Sequence, residues 1–427
     1  MDTQMIIAIA IFLGCYFFIA TEKINKIVIA LAGAVIYIAF GFISQEKAFA
    51  HYIDWNVIFL LIGMMIMVGI IKSTGLFEYI AIFLAKKAKG DPKKILLMLF
   101  FITGLFSALL DNVTTVVIIT PISILIAVEM GISPLPFVIT QALASNIGGT
   151  ATLIGDPPNV MIGSAAGISF MGFIENLALF VVFNMLIIAV VIFLFFRKKL
   201  IVSNERRARI MEFQEKHLIT DKSLLGYSLV VFLIFIILLF FQEALNLHAA
   251  TIALFAATAL MIRARKVNID HFLNNEIEWG TILFFIGLFI MVGALEEVRV
   301  IELMSDKIMQ ITRGNLKATA VSMVWTAGIA SAFIDNIPFV ATMIPMIKDI
   351  AQTAGTDNVM PLWWALSLGA CFGGNGTLIG ASANVISAGI CKKSNYPISF
   401  MTFTKYGALV TLINLIFSTF FILWKYF

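Results

Sequence analysis

The sequence predicts an all-α polytopic membrane protein built from two inverted repeats, each of which contains a re-entrant helical hairpin and a broken transmembrane helix. Three observations lead to this prediction: an apolar composition, motifs that recur at a nearly constant spacing, and glycine-rich stretches inside apolar segments. Of the 427 residues, 61% are hydrophobic and 13% are charged, whereas a soluble domain averages about 45–50% apolar and about 25% charged residues. Apolar runs long enough to cross a bilayer recur along the chain, so we predict one multi-pass domain.

Basic residues predict which loops face the cytoplasm, because Lys and Arg are enriched on that side of a membrane. They cluster in five loops, and ten crossings with both termini outside place all five loops on one face. We therefore expect a plasma-membrane protein whose net charge of +4 reflects topology and not an affinity for nucleic acid. The first span follows MDTQ, which carries an acidic residue where a signal peptide has basic ones, and it lacks a small-residue cleavage site. We therefore expect this span to be retained. The basic loops are 21–26, 86–94, 197–216, 263–266 and 391–393, and the predicted spans are 4–20, 24–44, 54–71, 135–170, 174–196, 223–241, 247–262, 279–295, 361–390 and 402–425.

Four apolar segments remain once these crossings are assigned, and they form two adjacent pairs. Each pair must return to the side that it left, since otherwise the basic loops would not share a face. We therefore predict two re-entrant helical hairpins, residues 93–128 entering from the cytoplasm and residues 317–352 entering from outside.

Three motifs occur twice along the chain, which indicates an internal duplication. WNVIFLLIGMMIMVG matches WGTILFFIGLFIMVG, and SALLDNVTTVVIITP matches SAFIDNIPFVATMIP, both at a separation of 224 residues. The crossing count gives the two copies opposite orientations, an arrangement typical of secondary transporters. The equivalent residues are Trp55 and Trp279, Asp111 and Asp335, and, after a shift of one residue, Asn159 and Asn384. We predict a first repeat at 1–196, a solvated basic cytoplasmic linker at 197–222 and a second repeat at 223–427, with broken helices at 135–170 and 361–390.

The stretches SNIGGTATLIGDPPN and GACFGGNGTLIGASAN interrupt apolar segments with glycines and polar residues. Irregular backbone survives at membrane depth only where it lines a protein-enclosed or watery cavity, because every N–H and C=O must find a partner. Each break leaves a helix N-terminus that attracts anions or oxyanion-like oxygens, and a helix C-terminus whose carbonyls attract sodium or a proton-bearing group. We expect the breaks to form a binding site, and its predicted glycines are Gly148, Gly149, Gly155, Gly373, Gly374, Gly376 and Gly380.

The tips of the two hairpins carry the sequences DNVTT and DNIPF. A carboxylate at membrane depth is costly, so by default it marks an ion or proton pathway. We predict that Asp111 and Asp335 bind a coupling cation or proton; the alternative is that they only cap the returning helices, and the two roles are compatible. The predicted tip residues are Asp111, Asn112, Thr114, Thr115, Asp335 and Asn336, and bound sodium is expected near Asp111, Asn112, Asn146, Asp335 and Asn336.

Neutral polar side chains in the breaks suit a partly dehydrated ion or a small polar solute. The alternative is that they satisfy the backbone groups that the breaks set free. Asp156 has no acidic counterpart, since Ala381 holds the equivalent position, and we favour an N-cap for the helix that begins at Pro157 over a third titrating group. Cys371 is interpreted as a packing residue, with a thiol ligand for a soft solute such as trivalent arsenic as the alternative. The neutral residues are Asn146, Thr150, Thr152, Asn159, Asn375, Thr377, Ser382 and Asn384.

Several other functional classes are disfavoured. Three widely separated cysteines form no CxxC motif and four histidines have no metal-binding spacing, so we expect neither a disulfide framework nor a zinc site. GGNGTLIG lacks the spacing of a nucleotide-binding loop. The sequence offers no Ser/His or Cys/His pair of the kind that an intramembrane enzyme would use, so this class is disfavoured. We expect a non-enzymatic protein with no cofactor other than bound sodium ions.

The motifs LLDNVTTVVIITP, SNIGGTATLIGDPPNV, FIDNIPFVATMIP and GACFGGNGTLIGASANV resemble the ArsB/P-protein permeases of the ion transporter superfamily, most closely the melanosomal P-protein branch. The resemblance covers nearly the whole chain from Lys23 onward. It implies an elevator transporter, usually a dimer, in which hairpins and broken helices form a mobile domain. Relatives include arsenite efflux permeases, sodium/proton antiporters and sodium-coupled dicarboxylate symporters. The last group carries Ser-Asn-Thr at each tip, whereas here Asp111 and Asp335 replace the serine.

These expectations lead to one preferred function and two alternatives. We predict a secondary active transporter that moves a small anion or an oxyacid such as arsenite, coupled to sodium or protons. Fixed negative charges at both tips disfavour a doubly charged anion unless cations or protons neutralise them. The alternatives are a sodium/proton antiporter that uses the same aspartates and a gated anion channel on the same scaffold.

Overall fold

A computed structural model describes residues 3–21, 23–264 and 269–427 of the chain. The secondary structure of these residues is helical, and they contain no strand. Residue 22 of the first predicted basic loop and residues 265 and 266 of the fourth lie outside the described residues. In chain order the helices are α1 (Thr3–Thr21), α2 (Lys26–Ala39), α3 (Gln45–Lys47), α4 (Trp55–Ser73), α5 (Leu76–Lys87), α6 (Pro92–Leu109), α7 (Asn112–Glu129), α8 (Leu135–Gly149), α9 (Pro157–Ala166), α10 (Phe170–Phe173), α11 (Leu179–Phe196), α12 (Asn204–Met211), α13 (Lys222–Phe240), α14 (Ala249–Arg263), α15 (Ile269–Glu276), α16 (Trp279–Glu297), α17 (Val300–Ile311), α18 (Leu316–Phe333), α19 (Asn336–Ala354), α20 (Met360–Gly373), α21 (Ser382–Lys393) and α22 (Phe400–Tyr426).

Eight of the described helices are long and apolar enough to cross a membrane by length and composition. They confirm the predicted all-α, polytopic class. Three of them, α6, α7 and α18, are arms of the predicted hairpins. They are included because length and composition alone do not distinguish a hairpin arm from a membrane span. The other five are Trp55–Ser73, Phe170–Phe196, Lys222–Phe240, Trp279–Glu297 and Phe400–Tyr426.

Two helical hairpins stand at the predicted positions, α6 with α7 and α18 with α19. α7 begins after Asp111, whose Oδ1 accepts a hydrogen bond from the Thr114 N–H at 2.7 Å. α19 begins after Asp335, whose Oδ1 accepts one from the Ile337 N–H at 3.4 Å. Both aspartates therefore cap the returning helices, which satisfies amides that a helix N-terminus leaves free.

Each broken helix consists of two helices separated by an irregular, largely buried segment. α8 ends at Gly149 and α9 begins at Pro157, while α20 ends at Gly373 and α21 begins at Ser382. Proline suits the first turn of a helix, because its missing N–H would have no partner there in any case. The interruptions thus lie where the glycine-rich motifs predict them.

The hairpins pack against the broken helices through the same close contacts in both halves. Gly148 in α8 lies on Gly104 in α6, and Gly373 in α20 lies on Gly328 in α18. A Cβ atom would lie 2.1 Å from the Gly104 carbonyl oxygen in the first case and 2.5 Å from the Gly328 carbonyl oxygen in the second. Only glycine permits backbones to approach this closely.

The helices form two groups. The central group comprises the hairpins and broken helices, α6–α9 and α18–α21, against which α11 and α22 pack. The flanking group comprises α1, α2, α4, α13, α14 and α16, in which α2 packs on α16 and α14 packs on α4. These two contacts are equivalent, because a Cβ atom at Gly287 would meet Ala30 and one at Gly63 would meet Ala253.

The linker at 197–222 packs against the first half of the molecule. It contains α12, which contacts α5 and α7 and buries Ile210. Lys86 Nζ lies 2.6 Å from Glu215 Oε2, and Arg207 Nη2 lies 3.7 Å from Asp91 Oδ2. Leu200 and Ile210 are buried, and two ion pairs attach the linker to the base of the first hairpin, but most of its described side chains are exposed. Its cytoplasmic location stays a prediction.

Candidate functional site

Asp156 joins the first break to both hairpin tips. Its carboxylate is fully buried. Oδ1 accepts hydrogen bonds from Asn112 Nδ2 at 3.1 Å and from Asn336 Nδ2 at 3.4 Å, one amide from each tip. A single carboxylate thus connects three of the four predicted polar segments.

The side chain of Asp156 does not cap α9. Our prediction of an N-cap was wrong, and the residues that follow Asp156 explain why. Pro158 has no N–H, so one of the two donors that a cap uses is missing, and the other, the Asn159 N–H, donates to the Asp156 backbone carbonyl at 2.9 Å. Oδ2 is buried and accepts no hydrogen bond from a nitrogen or hydroxyl donor among the described residues, although the Cys371 thiol interacts with this carboxylate. Because a thiol is a weak donor, the carboxylate is available to a cation or a proton.

Two further buried side-chain oxygens on α7, the helix that contacts this carboxylate through Asn112, lack a hydrogen-bond partner within the described part of the chain. They are Asn112 Oδ1 and Thr115 Oγ1. Asn112 and Thr115 are three residues apart on α7 and therefore share one face of the helix. Carboxylate, amide and hydroxyl oxygens are ligands that hard cations prefer. This oxygen cluster (Asn112, Thr115 and Asp156) belongs to the first half.

A chain of buried asparagines links the two breaks. Asn146 Oδ1 accepts from Asn112 Nδ2 at 3.2 Å. Asn146 Nδ2 lies 2.9 Å from Asn375 Oδ1 and 3.0 Å from Asn384 Oδ1. The structure therefore brings these predicted site residues together, although they are up to 272 positions apart in the sequence.

Other predicted polar residues are used to satisfy the freed backbone, as the local alternative expects. Asn159 Nδ2 donates to the Thr152 carbonyl at 2.9 Å, and Asn384 Nδ2 donates to the Thr377 carbonyl at 3.0 Å. The three threonine hydroxyls donate to carbonyls of Asn146, Ala108 and Ala332, respectively: Thr150 at 2.8 Å, Thr152 at 2.5 Å and Thr377 at 2.5 Å. The predicted glycines Gly148, Gly149, Gly155, Gly373, Gly374, Gly376 and Gly380 lie in the breaks or at the adjoining helix ends.

Lys26 is a site residue that the sequence analysis missed. It starts α2, and its Nζ lies 2.7 Å from Asp335 Oδ2 and 3.0 Å from Ser382 Oγ. Ser382 Oγ also donates to Asp335 Oδ2 at 2.8 Å. We assigned Lys26 to a basic cytoplasmic loop, because a contact across 309 residues leaves no local signal in the sequence.

Cys371 is buried next to the same network. Its thiol lies 3.7 Å from Asn159 Oδ1, which also accepts from Ser367 Oγ at 2.6 Å, and Asp156 is an electrostatic neighbour. Cys371 stands 225 positions after Asn146, the same separation as Asn384 from Asn159. The described residues contain no group of three His, Cys, Asp or Glu side chains placed to hold a metal ion.

The space between the central and flanking groups is unequal at its two ends. At the start of α2 and α16, a crevice of about 30 Å³ is lined by Lys26, Thr281, Asp156, Asn112 and Asn336, with others. That volume accommodates about two water molecules. Two cavities border the start of α4. One of about 310 Å³ also borders the start of α14, and one of about 480 Å³ also borders the second half of α16.

Comparisons with known proteins agree with this architecture. The family model described as a citrate transporter, CitMHS, matches residues 16–369. An uncharacterized transporter of Mycobacterium tuberculosis is 40% identical over 99% of both chains, and a 46 kDa membrane protein of Mycobacterium leprae is 40% identical over 96% of both.

Two further similarities concern the branch and the fold. The human P protein is 32% identical over 95% of this chain and 58% of its own length, which confirms the resemblance drawn from the motifs. The crystal structure of the YdaH transporter of Alcanivorax borkumensis, described as having an unusual topology, matches with a TM-score of 0.57 and 12% identity over 91% of this chain and 88% of that one. This last likeness concerns the fold alone. The chain is therefore a multi-pass membrane transporter that belongs to the CitMHS transporter family and is related to the P proteins.

Proposed function

We propose that the protein is a secondary active transporter that moves a small anion or oxyacid across the plasma membrane, coupled to sodium or protons. The observation that carries the proposal is the meeting of the first break and both hairpin tips around Asp156, beside the oxygen cluster, with Asn146 joining the second break to this network. A buried carboxylate oxygen without a donor is stabilised by a cation or a proton. That requirement ties the charge state of the site to an ion gradient.

The chemistry of the substrate follows from the charges of the site. Asp156 and Asp111 are electrostatic neighbours, so a charged anion arrives together with cations or protons, whereas a neutral oxyacid such as arsenous acid needs no such partner. The N-terminus of α21, at Ser382, offers backbone N–H groups to an oxyanion. The citrate of the family description belongs to this class of small anions.

The unequal ends of the interface between the central and flanking groups support a proposal of alternating access. The second hairpin tip contacts the start of α2 through Lys26, while the equivalent start of α14, at Ala249, lies beside the cavity of about 310 Å³. We propose that the central group moves along the flanking group as an elevator and exchanges these two contacts. In the predicted inverted-repeat topology, with both termini outside, α2 and α16 begin on the cytoplasmic side, so the site residues beside Lys26 lie toward the cytoplasmic end of the flanking group in this conformation. A homodimer is the assembly we expect.

The proposal is tested with purified protein in proteoliposomes that carry a sodium or proton gradient, using citrate, phosphate and arsenite as probes. We expect Asp156→Asn to reduce gradient-driven uptake by at least about 100-fold, since it removes the charge that the cation neutralises. Asp221→Asn is the matched control. Asp221 caps α13 and lines neither the crevice nor the two cavities, and Asn caps as well as Asp. Driven uptake that survives in Asp156→Asn, or flux that never exceeds the passive gradient in the parent protein, would contradict the proposal.

Sodium/proton exchange is the second candidate function. The partnerless oxygens of Asn112, Thr115 and Asp156 favour it, because they suit a cation more directly than an anion. It predicts that a sodium gradient alone drives proton movement in vesicles without any other solute. A requirement for one of the anionic probes would exclude it.

A further inference from the structure

We propose that Lys26 acts as a displacing cation, whose ammonium takes the cation position at the second hairpin tip in this conformation and so expels the coupling cation from Asp335. The inference rests on the proposed function and deepens it by assigning the step that releases the ion. It concerns a residue outside all the repeated motifs.

The surroundings of the ammonium are those of a bound monovalent cation. Asp335 Oδ2 lies 2.7 Å and Ser382 Oγ 3.0 Å from Lys26 Nζ, and the Phe284 ring centroid lies 5.1 Å away. The Asp335 side chain is 11% exposed and that of Lys26 is 33% exposed. Carboxylate and hydroxyl oxygens also bind sodium, and an ammonium and a sodium ion cannot occupy one position.

The pair bridges the two groups of helices. Lys26 starts α2 in the flanking group, whereas Asp335 and Ser382 belong to the central group. Movement of the central group therefore separates Lys26 from Asp335. A buried carboxylate that loses its partner is strongly destabilised, so Asp335 takes up a sodium ion or a proton when it leaves Lys26.

The second repeat has no lysine at the position equivalent to Lys26. Ala253 follows Ala30 by 223 positions in the matched helix contacts, and the same separation places Ala249 opposite Lys26. Ala249 lines the cavity of about 310 Å³. The displacement is therefore one-sided: a cation is expelled in this conformation and accepted in the other.

Other described groups face the pair. Asp156 and the Tyr16 phenol are electrostatic neighbours of Asp335, and Glu278, which precedes α16, is one of Lys26. Lys26 supplies the positive charge among these groups. Its removal therefore leaves a site that attracts cations more strongly.

The test compares Lys26→Met with the parent protein in detergent. One arm titrates sodium chloride against choline chloride at fixed pH, and a second arm titrates pH in choline chloride, so that sodium and protons are distinguished. Thermal stability is the readout, because a ligand of the folded state raises it. We expect Lys26→Met to raise the apparent affinity for one of the two cations at least about tenfold and to slow turnover in proteoliposomes. If the Lys26–Asp335 ion pair has a purely structural role, Lys26→Met lowers thermal stability without any gain in cation affinity.

Two variants make the result decisive. In an Asp335→Asn background, Lys26→Met should leave the cation affinity unchanged, because the competing carboxylate is gone. Lys47→Met is the matched control, since Lys47 Nζ lies 2.8 Å from Glu297 Oε2, outside the crevice. If Lys26→Met does not fold, Lys26→Gln takes its place with the same expected gain. A cation affinity of Lys26→Met within twofold of the parent value, or the same gain in the Asp335→Asn background, would overturn the inference. Either result would leave the proposed function standing if Asp156→Asn still abolishes driven uptake.

Discussion

The two halves of the protein hold their hairpins in place with the same hydrogen bonds. In each half, a serine on the first hairpin arm donates to a carbonyl of the broken helix, and a threonine in the break donates back to a carbonyl of that arm. The pairs are Ser107 with Ser145 and Thr152 with Ala108 in the first half, and Ser331 with Ala370 and Thr377 with Ala332 in the second.

The charged groups of the two halves differ. The first half has Asp156 and a cluster of partnerless oxygens, whereas the second half has Ala381 at the equivalent position and an aspartate paired with Lys26. Interruptions of a helix inside a membrane demand a fixed set of backbone partners. The duplication thus preserves what the backbone needs, and the side chains that meet the ion are free to diverge.

The largest expected effect comes from the contacts that the halves share. Gly148→Ala and Gly373→Ala each place a Cβ atom against backbone that cannot yield. We expect both to destabilise the protein by about 3 kcal/mol or more, measured as loss of folded protein by size-exclusion chromatography and thermal unfolding. Gly226→Ala is the control, because a Cβ atom there meets nothing within 4 Å. A stable Gly373→Ala beside an unfolded Gly148→Ala would show that the halves are supported differently.

A smaller and equal effect is expected at the threonines of the breaks. Thr152→Val and Thr377→Val each leave a buried carbonyl without its donor, at a cost of about 1–3 kcal/mol. Because both hydroxyls serve the backbone, the response of thermal stability to sodium should stay within twofold of the parent protein. A selective loss of the sodium response in one variant would assign that hydroxyl to the ion instead.

The smallest expected effect is at the first hairpin tip. Asp111→Asn retains the cap on Thr114 and removes only a neighbouring negative charge. We expect cation affinity to fall about fivefold, which corresponds to about 1 kcal/mol at an intermediate effective dielectric. Titration of sodium and pH by thermal shift measures it. A loss as complete as that of Asp156→Asn would make Asp111 a direct ligand.

The sequence predicts the positions of the breaks and the hairpin tips well, because the residues that interrupt each helix are adjacent in the sequence. A run such as IGGTATLIGDPP cannot continue an apolar helix, and an acid between two apolar segments marks the start of the returning helix, which both aspartates cap. The role of Asp156 was mistaken, since Pro158 removes one of the two amides that a cap uses, while the side-chain amides of Asn112 and Asn336 arrive from distant hairpins. Lys26 was missed for a similar reason, because its partner lies 309 residues away.

The exchange of contacts between the two halves is tested most directly by cross-linking. Thr281 and Ile337 line the same small crevice in this conformation, and their equivalents 224 positions earlier are Val57 and Val113. Val57 lines the cavity of about 310 Å³. The native cysteines Cys15, Cys371 and Cys391 are first replaced by serine. One variant then carries Thr281→Cys with Ile337→Cys, and a second carries Val57→Cys with Val113→Cys. Both are treated in proteoliposomes with a short cross-linker that joins thiols through reducible disulfide bonds. The account predicts that each pair cross-links, that either cross-link stops transport until it is reduced, and that the ion gradient shifts the yield of one pair against the other. Continued transport with no cross-link at Val57 and Val113 under any gradient would contradict it.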